Sequence, residues 1–304
     1  MGAFRFLALL AALAVAGTAC GPANNPPTGK KSIVVTYSIL GSIVKELVGD
    51  AATVTVSVPN GLDPHEWESS AKDIAIINRA DLVVQNGLEL GGGMQRALNN
   101  AKGKGVRFFT AADHVTIRYV GPGEGIPSGD RDQAIGAPDP HLWTDPLEMK
   151  SVVAALSAEL KQDFDIDTSA RATSLEGRLD ALDFKIKNDV AQIAPENRKL
   201  VTGHESMGYF AQRYGFKLVG VIIPSLSSQA GVSAGDLAAL AKAIRENRVK
   251  AIFTELGTSP AVAKAVADAT GVKVVELTTH GLPPDGSYFT FITDIANVIT
   301  GALK

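Results

Sequence analysis

The chain has 304 residues, 20% of them charged and 45% hydrophobic, with a formal net charge of −3. That composition belongs to a soluble globular protein, and the length suits two domains of roughly 130 residues each better than a single core. A near-neutral charge without a Lys/Arg-rich run argues against nucleic acid as a partner.

At the amino terminus, Arg5 is the only charged side chain before an apolar run over 6–16, and the small residues Gly17, Thr18 and Ala19 follow. The run is too short for a bilayer core of about 30 Å. It reads as the core of a secretory signal over 1–19, with a short buried helix as the alternative. Cys20 is the only cysteine, which excludes an internal disulfide and any cysteine-rich metal cluster. Its place after the small residues resembles the lipobox of bacterial lipoproteins, although Gly17 stands where that motif usually has an aliphatic residue. The resemblance implies a lipid thioether on Cys20; the alternative is a secreted protein with a free thiol. The polar, Pro/Gly-rich segment 20–31 reads as a flexible tether.

From residue 32 the pattern is α/β. Strands are expected at 33–37, 52–58, 80–85 and 106–110, and helices at 38–47, 70–79 and 94–101. Short apolar strands alternating with helices imply a parallel sheet. Residues 121–140 are rich in Gly, Pro and Asp and have no period. A loop this long in a compact domain is often functional, and 121–138 is expected to be a flexible lid or docking loop. Helix resumes near Asp145. Over 168–193, Leu175, Leu179, Leu182, Ile186 and Val190 recur at steps of three or four. Such a helix would run about 39 Å, enough to span two domains, and Pro195 ends it. A second α/β series follows, with strands starting at 200 and at 218–223, 251–254 and 272–277, and helices at 206–214, 234–247, 260–270 and 289–303. The expected architecture is therefore α/β: an N-terminal domain over 32–167, a linking helix over 168–194 and a C-terminal domain over 195–304, each domain with a parallel four-stranded sheet.

There are five histidines. Ligands of open parallel α/β sheets bind beyond the carboxyl ends of the strands, and four of the five fall just past a strand or in a loop entering a helix. The sharpest signal is a repeat: Asp63-Pro64-His65-Glu66-Trp67 recurs as Asp139-Pro140-His141-Leu142-Trp143, and these hold the only two tryptophans. A metal reading gives each residue a task. Neutral imidazole is a strong Zn²⁺ ligand, proline fixes the backbone before it, a carboxylate can take the proton of the second ring nitrogen, and tryptophan can exclude water. The plain alternative is a pair of helix-start turns with no metal. His204 and His280 also follow strands, while His114 lacks the repeat's context and reads as a surface residue.

At these residues the chain resembles the zinc/manganese solute-binding lipoproteins of ABC importers, the cluster A-I binding proteins. The resemblance covers the mature chain and rests on Asn60-Gly61-Leu62-Asp63-Pro64-His65, Asp139-Pro140-His141-Leu142-Trp143, His204 with Gly208-Tyr209-Phe210, and Ile252-Phe253-Thr254-Glu255. It implies two domains joined by one long rigid helix, with the metal in the cleft between them. It places His65, His141 and His204 as ligands and His280 at the fourth position, where the family usually has a carboxylate. Water or Asp285 are the alternatives there. Asp63, Asp139, Trp67, Trp143 and Glu205 are the candidate supporting residues. Four imidazoles favour Zn²⁺, since Mn²⁺ prefers oxygen. The partners implied are a membrane permease and the membrane itself through a lipid anchor, the location is the outer face of the cytoplasmic membrane, and the protein is expected to be a monomer and not an enzyme. Three rivals remain: a hydrolase with three histidines on zinc and Glu66 or Glu205 as base, which lacks the His-Glu-x-x-His spacing; a surface adhesin; and a siderophore or haem receptor.

Overall fold

The β-branched runs and the apolar helical faces of the first half assemble one parallel sheet. The computed structural model describes residues 29–122, 124 and 135–304, of which Lys31–Lys304 is one compact unit. The expected signal segment 1–19, Cys20 and all but 29–31 of the tether lie outside the described residues, as do 123 and 125–134 of the long loop. Strands β1 (Lys31–Tyr37), β2 (Ala52–Val58), β3 (Leu82–Gln85) and β4 (Arg107–Thr110) pair in the order β2-β1-β3-β4, all parallel. Helices α1 (Ser38–Val48), α2 (Ala71–Ile77) and α3 (Gln95–Gly103) form the crossovers. The chain leaves β1 toward β2 and then returns across it to β3. Such a reversal opens a crevice at the carboxyl ends of the strands, and the functional residues gather there.

Helix α4 (Pro146–Phe164) starts on Asp145, which accepts the Leu147 N–H, with Pro146 where a missing donor costs nothing. The long helix α5 (Ser169–Ala191) follows. Its 23 residues span about 34 Å, slightly short of expectation, because the chain tightens after Ala191, where Ile193 N–H bonds Val190 O. Ala172, Leu175, Leu179, Leu182, Ile186 and Val190 are buried along one face. That stripe packs on α4 and α1 and on the last helix, α9 (Tyr288–Leu303). The larger core therefore joins both ends of the described chain.

The second half contains β5 (Lys199–Thr202), α6 (Gly208–Tyr214), β6 (Lys217–Val221), α7 (Ala234–Asn247), β7 (Ala251–Thr254), α8 (Pro260–Thr270) and β8 (Lys273–Glu276), around a smaller core that includes Val219, Leu240, Ile244 and Ile252. Its strands are parallel and present as expected, but the four form two pairs, β5-β6 and β7-β8, in place of one continuous sheet. β5 lies beside β7. At their ends the link runs through a side chain, with Glu255 Oε1 accepting the His204 N–H at 2.9 Å. Helix α6 starts two residues later than its apolar spacing predicts, because Glu205–Met207 are drawn into a tight turn with Ser206 N–H on His204 O. Among the described residues no helix is long and apolar enough to cross a membrane.

The packing of α5 predicts a sharp contrast along one helix. Leu179 is fully buried and Phe184 is 68% exposed. In urea unfolding of the metal-free protein, Leu179→Ala is expected to lose about 2–5 kcal/mol, and Phe184→Ala no more than about 0.5 kcal/mol. Equal losses would contradict this placement.

Candidate metal centre

Four histidine rings from four separate turns meet in one place. His65 follows β2, His141 follows a short antiparallel pairing of 118–120 with 136–139 around the Tyr119–Pro138 bridge, His204 follows β5 and His280 follows β8. The two Asp-Pro-His segments fold alike: His65 N–H donates to Asp63 Oδ1 and His141 N–H to Asp139 Oδ1, each at 2.9 Å. Each aspartate thus closes a turn on its own backbone two residues on, which explains why the motif occurs twice. Gly203 lets the Glu255 and Thr258 side chains close on the chain just before the third ring, since a Cβ there would collide with Thr258 Oγ1 and the Glu255 side chain.

The four ligand nitrogens all lie within 4.8 Å of one another. His141 Nε2 is 3.2 Å from His65 Nε2 and 3.3 Å from His204 Nε2. All six ring pairs have centroids 5.1 to 6.1 Å apart. Tetrahedral Zn–N bonds of about 2.0–2.1 Å would set neighbouring nitrogens about 3.3 Å apart, which the two separations from His141 Nε2 match. His141 and His204 are 0% exposed, His280 2% and His65 5%. An open pocket of about 480 Å³, lined by His65, Glu89, Leu90, Pro140, Leu226 and Gln229, reaches the cluster at His65.

Hydrogen bonds behind two of the rings, His141 and His280, fix which nitrogen faces the centre. His141 Nδ1 donates to Asp139 Oδ1 at 2.9 Å, leaving the Nε2 lone pair inward. The Thr279 hydroxyl donates to Glu255 Oε2, so His280 Nδ1 donates in turn to Thr279 Oγ1 at 2.9 Å. His280 Nε2 is then a buried acceptor with no hydrogen-bond partner. His204 Nδ1 lies 3.2 Å from Glu255 Oε1, a charge contact whose angle falls short of a hydrogen bond. Glu255 also accepts the Ser206 hydroxyl at 2.7 Å. Burial alone would raise the Glu255 carboxyl, but the His204 ring, the His280 ring and the Thr279 hydroxyl hold it well below the usual range.

Burial pushes the His65 ring well below the ordinary imidazole range, and the neighbouring rings add to the effect. Burial likewise lowers His141, against the pull of Asp139, and lowers His280 with help from His204. His204 moves the other way: burial would lower it, but Glu255 more than offsets this and raises it. Four buried imidazoles with a nitrogen of each near one point, three of them resisting protons, make a donor set that could hold a metal cation.

The supporting residues diverge. Trp143 is fully buried, packs on His141 and His280, and donates from Nε1 to Thr279 O at 3.1 Å. Trp67 is half-buried at the margin of the larger core. Asp139 bonds the His141 ring, whereas the second oxygen of Asp63 reaches across to the second half and accepts the Ser228 hydroxyl at 2.6 Å. Glu205 is buried beside the centre, and burial together with the Asp139 charge lifts its carboxyl to about 7. Asp285 is elsewhere, exposed at the start of α9 and accepting from Ser287 N–H and the Thr290 hydroxyl. His114 is exposed and stacked on Phe109. Sequence reasoning missed Glu255, Asn86 and Arg118. Asn86, at the end of β3, accepts the Tyr37 hydroxyl at 2.9 Å and donates to Pro140 O at 2.9 Å, seating the second turn. For Glu255 and Asn86 a signal existed in their position at a strand's carboxyl end.

The family model for the periplasmic component A of the zinc-uptake complex matches residues 33–302. The chain is 31% identical over 283 residues to the high-affinity zinc uptake system protein ZnuA of Bacillus subtilis, covering 90% of this chain and 87% of that one. It is 27% identical over 291 residues to the manganese-binding lipoprotein MntA of Halalkalibacterium halodurans, covering 93% and 91%. Among solved structures, the periplasmic zinc binding protein TroA of Treponema pallidum superposes with a TM-score of 0.77 at 24% identity, covering 90% and 99%. The manganese-bound periplasmic metal binding protein of Candidatus Liberibacter asiaticus also superposes at 0.77 and 24%, covering 90% and 100%.

The electrostatics predict an ordered titration. Because His204 holds its proton more tightly folded than unfolded, its pairing with Glu255 stabilises the metal-free protein fully below about pH 6.5, and the benefit fades as pH rises through the raised His204 value. The other three rings act oppositely: their contribution is present above about pH 6.5 and is lost as pH falls through their lowered folded values. NMR titration of the metal-free protein should show His204 protonating first as pH falls, and Glu255→Gln should bring it below the ordinary imidazole value. An unchanged His204 in that variant would contradict the pairing.

Proposed function

The chain belongs to the family of the zinc-uptake periplasmic component A, the metal-binding solute-binding proteins of ABC importers, and on that premise we propose that it captures Zn²⁺ outside the cytoplasmic membrane and delivers it to a membrane permease. The observation that carries this reading is the convergence of His65, His141, His204 and His280 on one point. All four donors are imidazoles, a set that the borderline Zn²⁺ accepts and that the oxygen-preferring Mn²⁺ does not favour. Mn²⁺ is the second reading, favoured by the similarity to a protein named for manganese binding. A zinc hydrolase needs a ligand position kept for water; a fourth imidazole beside the other three argues against that reading.

In this reading the metal is cargo. His65 and His141 come from the first half and His204 and His280 from the second, so the bound ion ties the halves together. Asp63 with Ser228 and Asn60 with Leu282, whose groups exchange hydrogen bonds at 2.6 and 2.9 Å, already bridge the same gap. Release then requires these links to loosen, and the permease is the partner that would do so. Attachment through a lipidated Cys20 would hold the protein at the outer face of the membrane, as a monomer.

Chelator competition on the chain from Gly21 onward should give one tightly held Zn²⁺, weaker binding at about pH 5 than at about pH 7.5 because protons compete for each ring, and a looser site in His280→Ala. Equal affinity at the two pH values would contradict capture by imidazoles. An unaffected His280→Ala would place water or an oxygen ligand at the fourth position.

A further inference from the structure

Arg118 is a buried cation outside the ring cluster. Its side chain is 4% exposed, its Nη1 donates to Asp139 Oδ2 at 3.0 Å, and its Nη2 pairs with Glu124. A buried guanidinium is costly unless its partners are well placed, and the backbone secures this one on both sides. The Arg118 carbonyl accepts the Asp139 N–H at 2.9 Å. The Arg118 N–H donates to the Tyr209 hydroxyl, in α6, at 3.0 Å. Gly208, the first residue of α6, stands against the ion pair: a Cβ there would collide with Asp139 Oδ2 and Arg118 Nη1. Arg118 therefore joins the turn that carries His141 to the helix that follows His204.

Comparison of the two Asp-Pro-His turns isolates what the arginine adds. Asp63 and Asp139 close the same turn on a histidine N–H. Asp139 reaches the ring nitrogen and is paired with a guanidinium, while the second oxygen of Asp63 is used across the cleft by Ser228. A carboxylate with one oxygen pinned by arginine keeps the other oxygen aimed. We propose that Arg118 is the positioning residue of the centre: through Asp139 it fixes His141 with the Nε2 lone pair toward the metal, and through Gly208 and Tyr209 it seats that turn against the second half. The inference rests on the reading that the four rings bind metal.

The test uses two readouts, the His141 tautomer from imidazole ¹⁵N NMR of the metal-free protein and the Zn²⁺ affinity from chelator competition. Wild type should show the Nδ1–H tautomer. Arg118→Ala should bind Zn²⁺ roughly 10–100-fold more weakly, the range for losing a group that orients a ligand, and should show a mixed His141 tautomer. Arg118→Lys keeps a positive charge against Asp139 and should recover the tautomer and most of the affinity. Gly208→Ala leaves every charge in place and should weaken binding by displacing the pair. Unchanged tautomer and affinity in Arg118→Ala, or in Gly208→Ala where the alanine variant at 118 does not fold, overturns the assignment. A loss of affinity with the tautomer intact marks a merely structural role and overturns it too. Failure of the wild-type protein to bind Zn²⁺ would instead remove the reading beneath it.

Discussion

The structure turns on one costly arrangement: four imidazoles buried together with a ring nitrogen of each close to a common centre. Burial disfavours protons on three of its members, and the charged form of each ring works against its neighbours. The cluster persists because two carboxylates behind it hold the rings in place. Asp139 serves His141 directly. Glu255 serves His204 by charge and backbone, and His280 through the Thr279 hydroxyl. These anions also make the pocket more attractive to a metal, since they favour the outward N–H and the inward lone pair on the same ring.

The fold supplies the geometry by using the same structural opportunity repeatedly. Three of the four histidines follow the carboxyl end of a parallel strand, where the sheet leaves a crevice. The fourth, His141, is seated by Asn86 at the end of β3. Helix α5 and the closing helix α9 pack into one core with the first sheet, so neither half moves as a detached body over that surface. α9 also reaches the site, with the Tyr288 hydroxyl donating to Trp143 O at 2.9 Å. The links most open to change are the few hydrogen bonds that cross the cleft beside the rings.

What could be read in the sequence was local or periodic. The repeated Asp-Pro-His turns, the alternation of strands and helices and the apolar stripe of α5 all follow from neighbours in the chain. What could not be read depends on which distant segments meet. Glu255 becomes the hub because the end of β7 lies beside those of β5 and β8, and Arg118 matters because a glycine 90 residues later leaves room for it. The two tryptophans show the limit most clearly. Within the same motif, Trp143 is sealed under α9 and lies on the rings, whereas Trp67 follows the edge strand β2 and remains half-buried. The split of the second half into two strand pairs was likewise hidden, since whether β5 pairs with β7 is decided between segments about fifty residues apart.

The central claim is that the four histidines are joint ligands of one ion. X-ray absorption on the zinc-loaded protein tests it most directly. The account predicts four nitrogen neighbours at about 2.0–2.1 Å, with the outer-shell scattering of four imidazoles. Fewer than four imidazoles, with oxygen completing the coordination, would contradict it.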